Sequence, residues 1–172
     1  LREAGVAPPK VSVNVSALQF TPQFPSFVEE VLTATQLPPE ALEIELTEGI
    51  MIRSQDTALT IIDQLKELGV RISIDDFGTG YSSLSYLTRL PLDELKIDRS
   101  FVLGLADGDR NAELVRGIIA MARSLHLDLV VEGVESPEEL AFFQREEASV
   151  IQGYLFSAPV PLEELQRLLE PG

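Results

Sequence analysis

The chain has 172 residues, of which 45% are hydrophobic and 24% charged, the proportions of one ordinary globular domain. It contains no cysteine, which excludes disulfides and thiolate chemistry, and its formal net charge of −15 argues against a basic groove for a nucleic acid polymer. No apolar run approaches the roughly 18 residues of a membrane-spanning helix, and the N-terminus lacks signal-peptide anatomy. We therefore expect a cytoplasmic segment without direct membrane insertion, which is compatible with a membrane anchor elsewhere in a parent protein.

Strand-like and helix-like patterns alternate along the whole chain. The predicted strands are Val11–Val15, Leu42–Leu46, Val70–Asp75, Glu94–Ile97, Asp128–Glu132 and Val150–Gln152. The predicted helices are about Phe24–Leu37, Gln55–Leu68, Arg110–Leu125, Pro137–Arg145 and Pro161–Leu169. Ser136 and Glu139 have the spacing of a capping box at the start of the fourth helix. The alternation predicts a parallel sheet with right-handed crossovers.

The polar residues on one face of each strand distinguish between two possible sheet architectures. A doubly wound sheet is covered by helices on both faces and would be apolar on both. Here Asn14, Glu45 and Lys96 alternate with aliphatic residues, which favours helices on one face and a polar interior on the other. This pattern predicts an α/β fold of the TIM-like (β/α)8 barrel type. A full barrel takes roughly 250 residues, so with about six strands we expect an incomplete barrel whose first strands lie upstream of Leu1.

The third predicted strand ends in two adjacent carboxylates, Asp75 and Asp76, before a glycine-rich loop. Adjacent carboxylates repel each other, and a divalent cation between them relieves the repulsion. A solvated turn uses the same residue types, so this stretch alone leaves both interpretations open.

Polar residues at the other strand ends favour the metal interpretation, because the ends of parallel strands meet at one mouth of a barrel. These residues are Asn14, Glu45, Asp75 with Asp76, Lys96, Glu132 with Glu135, and Gln152. Carboxylate and amide oxygens without histidine or cysteine select Mg²⁺ or Mn²⁺. Lys96 would hold a water or hydroxide, or act as a base if its pKa were depressed. We interpret Glu43 and Glu94 as salt-bridged interior side chains, and His126 as a structural residue at a helix end.

Several ordered motifs resemble the EAL-domain family of cyclic di-GMP phosphodiesterases. The motifs are Asn14-Val15-Ser16, Glu45-Leu46-Thr47-Glu48, Asp75-Asp76-Phe77-Gly78-Thr79-Gly80, Leu95-Lys96-Ile97-Asp98, Glu132-Gly133-Val134-Glu135 and Gln152-Gly153-Tyr154. The resemblance covers nearly the whole chain. It implies hydrolysis of cyclic di-GMP to linear pGpG in bacterial signalling, with two Mg²⁺ or Mn²⁺ ions.

The resemblance also implies a role for each matching residue. Asn14, Glu45 and Asp75 would bind one metal, and Asp75, Asp76 and Glu132 the second. Lys96 and Gln152 would position the attacking water, while Glu135 would support the site through water. Glu48 would steady the loop from Phe77 to Ser83, which the family links to dimerisation and activation, so a homodimer through the loop after Asp76 is expected.

The chain departs from the family pattern in two places. The Glu-Ala-Leu signature is absent, so residues 1–172 are interpreted as a partial EAL domain whose signature and first strands lie upstream, fused to sensory or GGDEF-type domains. Glu147-Ala148-Ser149 stands where the family usually has Gly-Cys-Asp, which raises a question about the loop before Gln152.

Two other functions compete with the phosphodiesterase. A catalytically inactive cyclic di-GMP receptor would usually have lost metal ligands, and every ligand that can be inspected here is present. An enolase-like barrel with Lys96 as base would leave Asp75-Asp76 and Gln152 without a role. Kinase and P-loop interpretations fail because their partner motifs are missing.

Overall fold

The computed structural model describes residues 10–53, 55–78, 87–105 and 110–169. The strands are β1 (Val11–Val15), β2 (Leu42–Thr47), β3 (Arg71–Phe77), β4 (Glu94–Ile97), β5 (Asp128–Val131) and β6 (Val150–Ile151). The helices are α1 (Phe24–Thr35), α2 (Glu48–Arg53), α3 (Gln55–Glu67), α4 (Arg110–Ser124), α5 (Pro137–Arg145) and α6 (Leu162–Leu169). Short 3-10 turns occupy Pro39–Ala41 and Arg99–Phe101. None of the helices in these ranges has the length and apolar character needed to cross a membrane.

All six strands form one parallel sheet in the order β1-β2-β3-β4-β5-β6. Neighbours in the sheet are therefore neighbours in sequence, as in a barrel rather than in a doubly wound sheet. Within the described ranges no strand pairs with the outer edge of β1 or of β6. The predicted incomplete TIM-like α/β barrel is confirmed.

Alternation along the strands sends aliphatic side chains to the helices and polar ones to the interior. Ile72 and Ile74 of β3 are fully buried in the apolar core, which also contains Ile61 and Leu65 of α3. Burying such a side chain stabilises a fold by roughly 1.5 to 3 kcal/mol. The amphipathic helices therefore fix the outer face of the sheet and leave its inner face for polar groups.

The strands and helices deviate from the predicted bounds in a few places. Helix α2 was not predicted from the sequence, because six residues are too few to show a helical period. The third predicted strand ends at Asp75, whereas β3 continues to Phe77. The register of β3 against β4 shifts between Ile74 and Phe77, and Asp76 has a left-handed backbone with φ of 54°. The two adjacent aspartates therefore lie on an irregular strand end, where their side chains need not alternate.

Candidate active site at the barrel mouth

Three predicted carboxylates converge on one ammonium group at the ends of their strands. Lys96 Nζ lies 2.5 Å from Glu132 Oε1, 2.8 Å from Glu45 Oε1 and 3.9 Å from Asp75 Oδ1. The Lys96 side chain is only 7% exposed, and Glu45 is also buried. Parallel pairing of β2, β3, β4 and β5 brings these residues to one end of the sheet although up to 87 positions separate them in sequence.

The surroundings keep Lys96 charged. Burial alone would lower the pKa of its ammonium group, but the hydrogen bonds that it donates to Glu132 and Glu45, together with the charges of these carboxylates, outweigh burial and raise the pKa. The condition for a base role, a depressed pKa, is therefore not met. Lys96 can therefore act as a permanent cation that donates hydrogen bonds.

The pKa values of two carboxyl groups, Glu132 and Asp76, are raised, which indicates an excess of negative charge around them. Burial and the charges of Asp75 and Glu45 raise the pKa of Glu132, although Lys96 opposes this shift. Burial, followed by the charges of Asp75 and Asp98, raises the pKa of Asp76. A site in which carboxylates resist ionisation despite a lysine is one that a divalent cation would stabilise.

The donor set fits a hard divalent cation in the type of its ligands. The ligands predicted from the sequence offer only carboxylate and amide oxygens, which Mg²⁺ and Mn²⁺ prefer. In the described ranges no three acidic or histidine side chains are already grouped with metal-binding geometry. The Lys96 ammonium instead contacts both Glu45 and Glu132. Binding an ion would thus require these carboxylates to turn away from Lys96.

A cavity of about 410 Å³ joins most of the predicted site residues. Its lining includes Asn14, Glu45, Asp75, Lys96, Glu132 and Gln152. Asn14 is paired with Glu45 in the register of β1 and β2. Asp76 is outside the described lining, and Glu135 lines a second cavity of about 700 Å³ that shares Glu132 and Gln152 with the first.

The loop that carries Gln152 is held by its backbone. The Gln152 N–H donates to the Val131 carbonyl at 2.8 Å, and the Gln152 carbonyl accepts from the Val134 N–H at 3.1 Å. A Cβ atom on Gly153 would lie 2.0 Å from the Val134 oxygen, so only glycine allows this approach. Upstream, Arg123 donates to the carbonyl of Glu146 at 2.5 Å. The Glu147-Ala148-Ser149 departure therefore leaves Gln152 at the cavity.

Glu48 is buried at the start of α2, directly after β2. Its predicted partner, the loop from Phe77 to Ser83, lies outside the described residues from position 79 onward, so the loop-steadying role stays a prediction. His126 has a left-handed backbone just after α4 and donates its N–H to the Arg123 carbonyl at 3.1 Å. That contact confirms His126 as a structural residue at a helix end.

A second polar layer lies deeper in the barrel, at the N-terminal ends of the strands. Glu43 is fully buried and accepts from Lys10 at 3.0 Å, Ser12 at 2.9 Å and Arg71 at 3.4 Å. Lys10 also contacts Glu94 at 2.6 Å. The salt-bridged interpretation of Glu43 and Glu94 is confirmed. Lys10 and Arg71 were not predicted as site residues from the sequence, although each is a cation at the start of a strand.

The pKa values of the two glutamates in this deep layer are shifted in opposite directions. Burial alone would raise the pKa of Glu43, but hydrogen bonds from Lys10, Ser12 and Arg71 lower it. Burial and the neighbouring Glu43 raise the pKa of Glu94 against the effect of Lys10. The deep layer is thus anchored on an ionised Glu43.

Comparison with known proteins agrees with these motifs and this geometry. The family described as EAL domain matches residues 1–159. The chain is 49% identical over 147 residues to cyclic di-GMP phosphodiesterase NbdA of Pseudomonas aeruginosa, covering 84% of this chain and 19% of that protein. It therefore spans about a fifth of the length of this curated relative.

Solved structures share the fold. A complex of the PaMucR phosphodiesterase with c-di-GMP has a TM-score of 0.88 at 45% identity, covering 91% of this chain and 70% of that one. The EAL domain of Mycobacterium smegmatis DcpA has a TM-score of 0.91 at 39% identity, covering 98% and 76%. On the strength of the matched residues and these similarities, the chain belongs to the EAL-domain family.

Proposed function

We propose that the domain containing this chain hydrolyses one phosphodiester bond of cyclic di-GMP to give linear pGpG. The observation that carries the proposal is the convergence of Glu45, Asp75 and Glu132 on Lys96 at the strand ends. An acidic pocket repels an anionic phosphodiester unless a cation intervenes, so this arrangement suits a metal-dependent reaction on a phosphate. A relative with 49% identity is named as a phosphodiesterase for this substrate.

The proposed metals are two Mg²⁺ or Mn²⁺ ions. Asn14, Glu45 and Asp75 would hold one ion, and Asp75, Asp76 and Glu132 the other. Such ions, when bound, stabilise negative charge on a phosphate and lower the pKa of a bound water.

The remaining polar groups act on the water and on the charge balance. Lys96, whose raised pKa keeps it cationic, would orient the attacking water by donating a hydrogen bond. Gln152, which lines the same cavity as Lys96, would help to position the same water. Glu135 would support the site from the adjoining cavity, and Glu48 would steady the loop that follows Phe77.

We further propose that residues 1–172 are part of a longer barrel in a larger signalling protein. Support comes from the unpaired edges of β1 and β6 among the described residues and from the partial coverage of solved EAL domains. Upstream sensory or GGDEF-type domains fit the length of the relatives, one of which is named a bifunctional diguanylate cyclase and phosphodiesterase. A homodimer through the loop after Asp76 is proposed on the family resemblance.

The test is an assay of the complete domain with cyclic di-GMP and either Mg²⁺ or Mn²⁺, with the products separated by chromatography. We expect pGpG as the product and no turnover after chelation with EDTA. A protein that binds cyclic di-GMP without cleaving it would instead be the receptor that competes with this proposal. Metal-independent turnover would contradict the assignment of the carboxylates.

A further inference from the structure

One ion pair at the mouth has no role in the mechanism proposed so far. Arg99, in the turn after β4, donates from Nη2 to Glu135 Oε1 at 2.7 Å. Both side chains line the 700 Å³ cavity together with Glu132 and Gln152. The pair thus joins the loops that follow β4 and β5, beside two groups of the proposed site.

The path of the Arg99 side chain depends on Gly133. A Cβ atom at position 133 would lie 2.3 Å from Arg99 Cγ and 2.8 Å from its Cδ. Gly133 also has φ of 75°, a left-handed conformation that glycine tolerates best. The aliphatic part of Arg99 therefore lies directly on the backbone between Glu132 and Glu135, which restricts the rotamers open to its guanidinium group.

The backbone on both sides of the pair is fixed by one buried carboxylate. Glu139 Oε2 accepts from the N–H groups of Glu135 at 2.9 Å and Ser136 at 3.1 Å. Glu139 Oε1 accepts from the Gly104 N–H at 3.4 Å, in the loop that follows the Arg99 turn. Arg99 and Glu135 are thus presented from two loops with a shared anchor, which limits the entropy lost in forming the pair.

We propose that Arg99 is a positioning residue for the phosphodiesterase reaction, holding the Glu135 carboxylate in the orientation from which it supports Glu132 and Gln152. This inference rests on the proposed function. Glu135 is 35% exposed and would otherwise be free to rotate toward solvent. Its negative charge lies close to an already acidic site, and the Arg99 guanidinium offsets that charge without occupying the metal-binding oxygens.

The test compares Arg99→Ala, Glu135→Ala and the double variant in the complete domain, with Arg167→Ala as a control that removes one exposed cation from α6. Loss of an outer group that orients a metal site commonly costs about 10- to 100-fold in activity. We expect Arg99→Ala to lower kcat by about that factor with little change in KM. Because both residues act through one contact, the double variant should be no slower than the slower single variant.

Other outcomes separate this inference from the proposed function. Arg99→Lys keeps the positive charge but loses the planar guanidinium group. If Arg99 orients Glu135, the kcat of this variant should lie between those of Arg99→Ala and the wild type. Arg99→Lys also replaces Arg99→Ala in the test if the alanine variant does not fold. Three results would overturn the positioning role in an active enzyme. They are a kcat for both Arg99 variants equal to that of the control, multiplicative effects in the double variant, and a rise in KM alone. An inactive wild-type domain would overturn the proposed function, and the role of Arg99 with it.

Discussion

Lys96 donates a hydrogen bond of 2.5 Å to Glu132, so that a buried cation bridges the ends of β4 and β5. The same ammonium group reaches Glu45 on β2 and counterbalances the acidic mouth. Any divalent ion that binds Glu45 and Glu132 must compete with this lysine for their oxygens. Lys96 should therefore influence both the stability of the metal-free domain and the reaction.

Replacing Lys96 with methionine should separate these two effects. The metal-free variant should lose about 3 kcal/mol of stability, because buried carboxylates are left without their cation. Mn²⁺ should therefore raise the thermal unfolding temperature more in the variant than in the wild type, while turnover stays low because the attacking water is not oriented. Differential scanning fluorimetry with a turnover assay measures both. Weak metal binding with normal hydrolysis would show that the role given to Lys96 is wrong.

Asp75→Asn should abolish most hydrolysis while the fold survives. Asp75 is the carboxylate proposed to bridge two ions, and an amide supplies one neutral oxygen instead of two charged ones. We expect turnover close to the level measured without added metal, and an unfolding transition close to that of the wild type. Near-normal turnover at saturating Mn²⁺ would contradict the two-metal assignment.

Glu43→Gln should affect stability rather than chemistry. Glu43 accepts three hydrogen bonds in the deep layer, two of them from cations, and a hydrogen bond to a charged group contributes about 2 kcal/mol. We expect a loss of about 2 kcal/mol in urea-induced unfolding, with KM and kcat near the wild-type values at a temperature where both proteins are folded. A selective loss of kcat would mean that the deep layer takes part in the reaction.

Glu139→Gln should make the domain less stable in a pH-dependent way. Burial alone would raise the pKa of Glu139, but N–H groups of Glu135, Ser136 and Gly104 lower it below the ordinary value of 4.5. The stability that the carboxylate contributes is therefore fully present above pH 4.5 and is lost as the pH falls through the lower folded-state pKa. The stability difference between wild type and variant, about 1 kcal/mol at neutral pH, should shrink below pH 4.5. A stability difference that stays constant as the pH falls would show that the ionised Glu139 carboxylate does not stabilise the fold.

Residues 1–172 expressed alone should associate and hydrolyse cyclic di-GMP poorly compared with a complete domain. The described part of the sheet leaves the outer edges of β1 and β6 unpaired, and Val11 and Val13 on β1 are 43% and 42% exposed. An unpaired edge with apolar side chains favours association. Size-exclusion chromatography and a Mn²⁺-dependent assay test this prediction. A monomer with full activity would contradict the truncated-barrel interpretation.

Alternating apolar and polar residues predicted the six strands and the convergence of Glu45, Asp75, Lys96 and Glu132. Helical patterns between the strands predicted the helices of the main crossovers. This succeeded because period-two patterns directly report which face is buried. The left-handed backbone at Asp76 and the partners of Arg99 were beyond such a pattern, since both depend on neighbours from other strands. The same limit explains why Lys10 was missed: its partners Glu43 and Glu94 lie 33 and 84 residues away.

The barrel interior divides its charges between two levels that line one cavity. Lys10 and Arg71 form ion pairs with the deep glutamate Glu43, whereas Lys96 forms ion pairs with Glu45 and Glu132 at the mouth. A substitution at the mouth can therefore end catalysis without removing the ion pairs that hold the strand beginnings together. A change at Asp75 therefore needs no compensating change in the deep layer, because none of the ion pairs at the strand beginnings includes that residue.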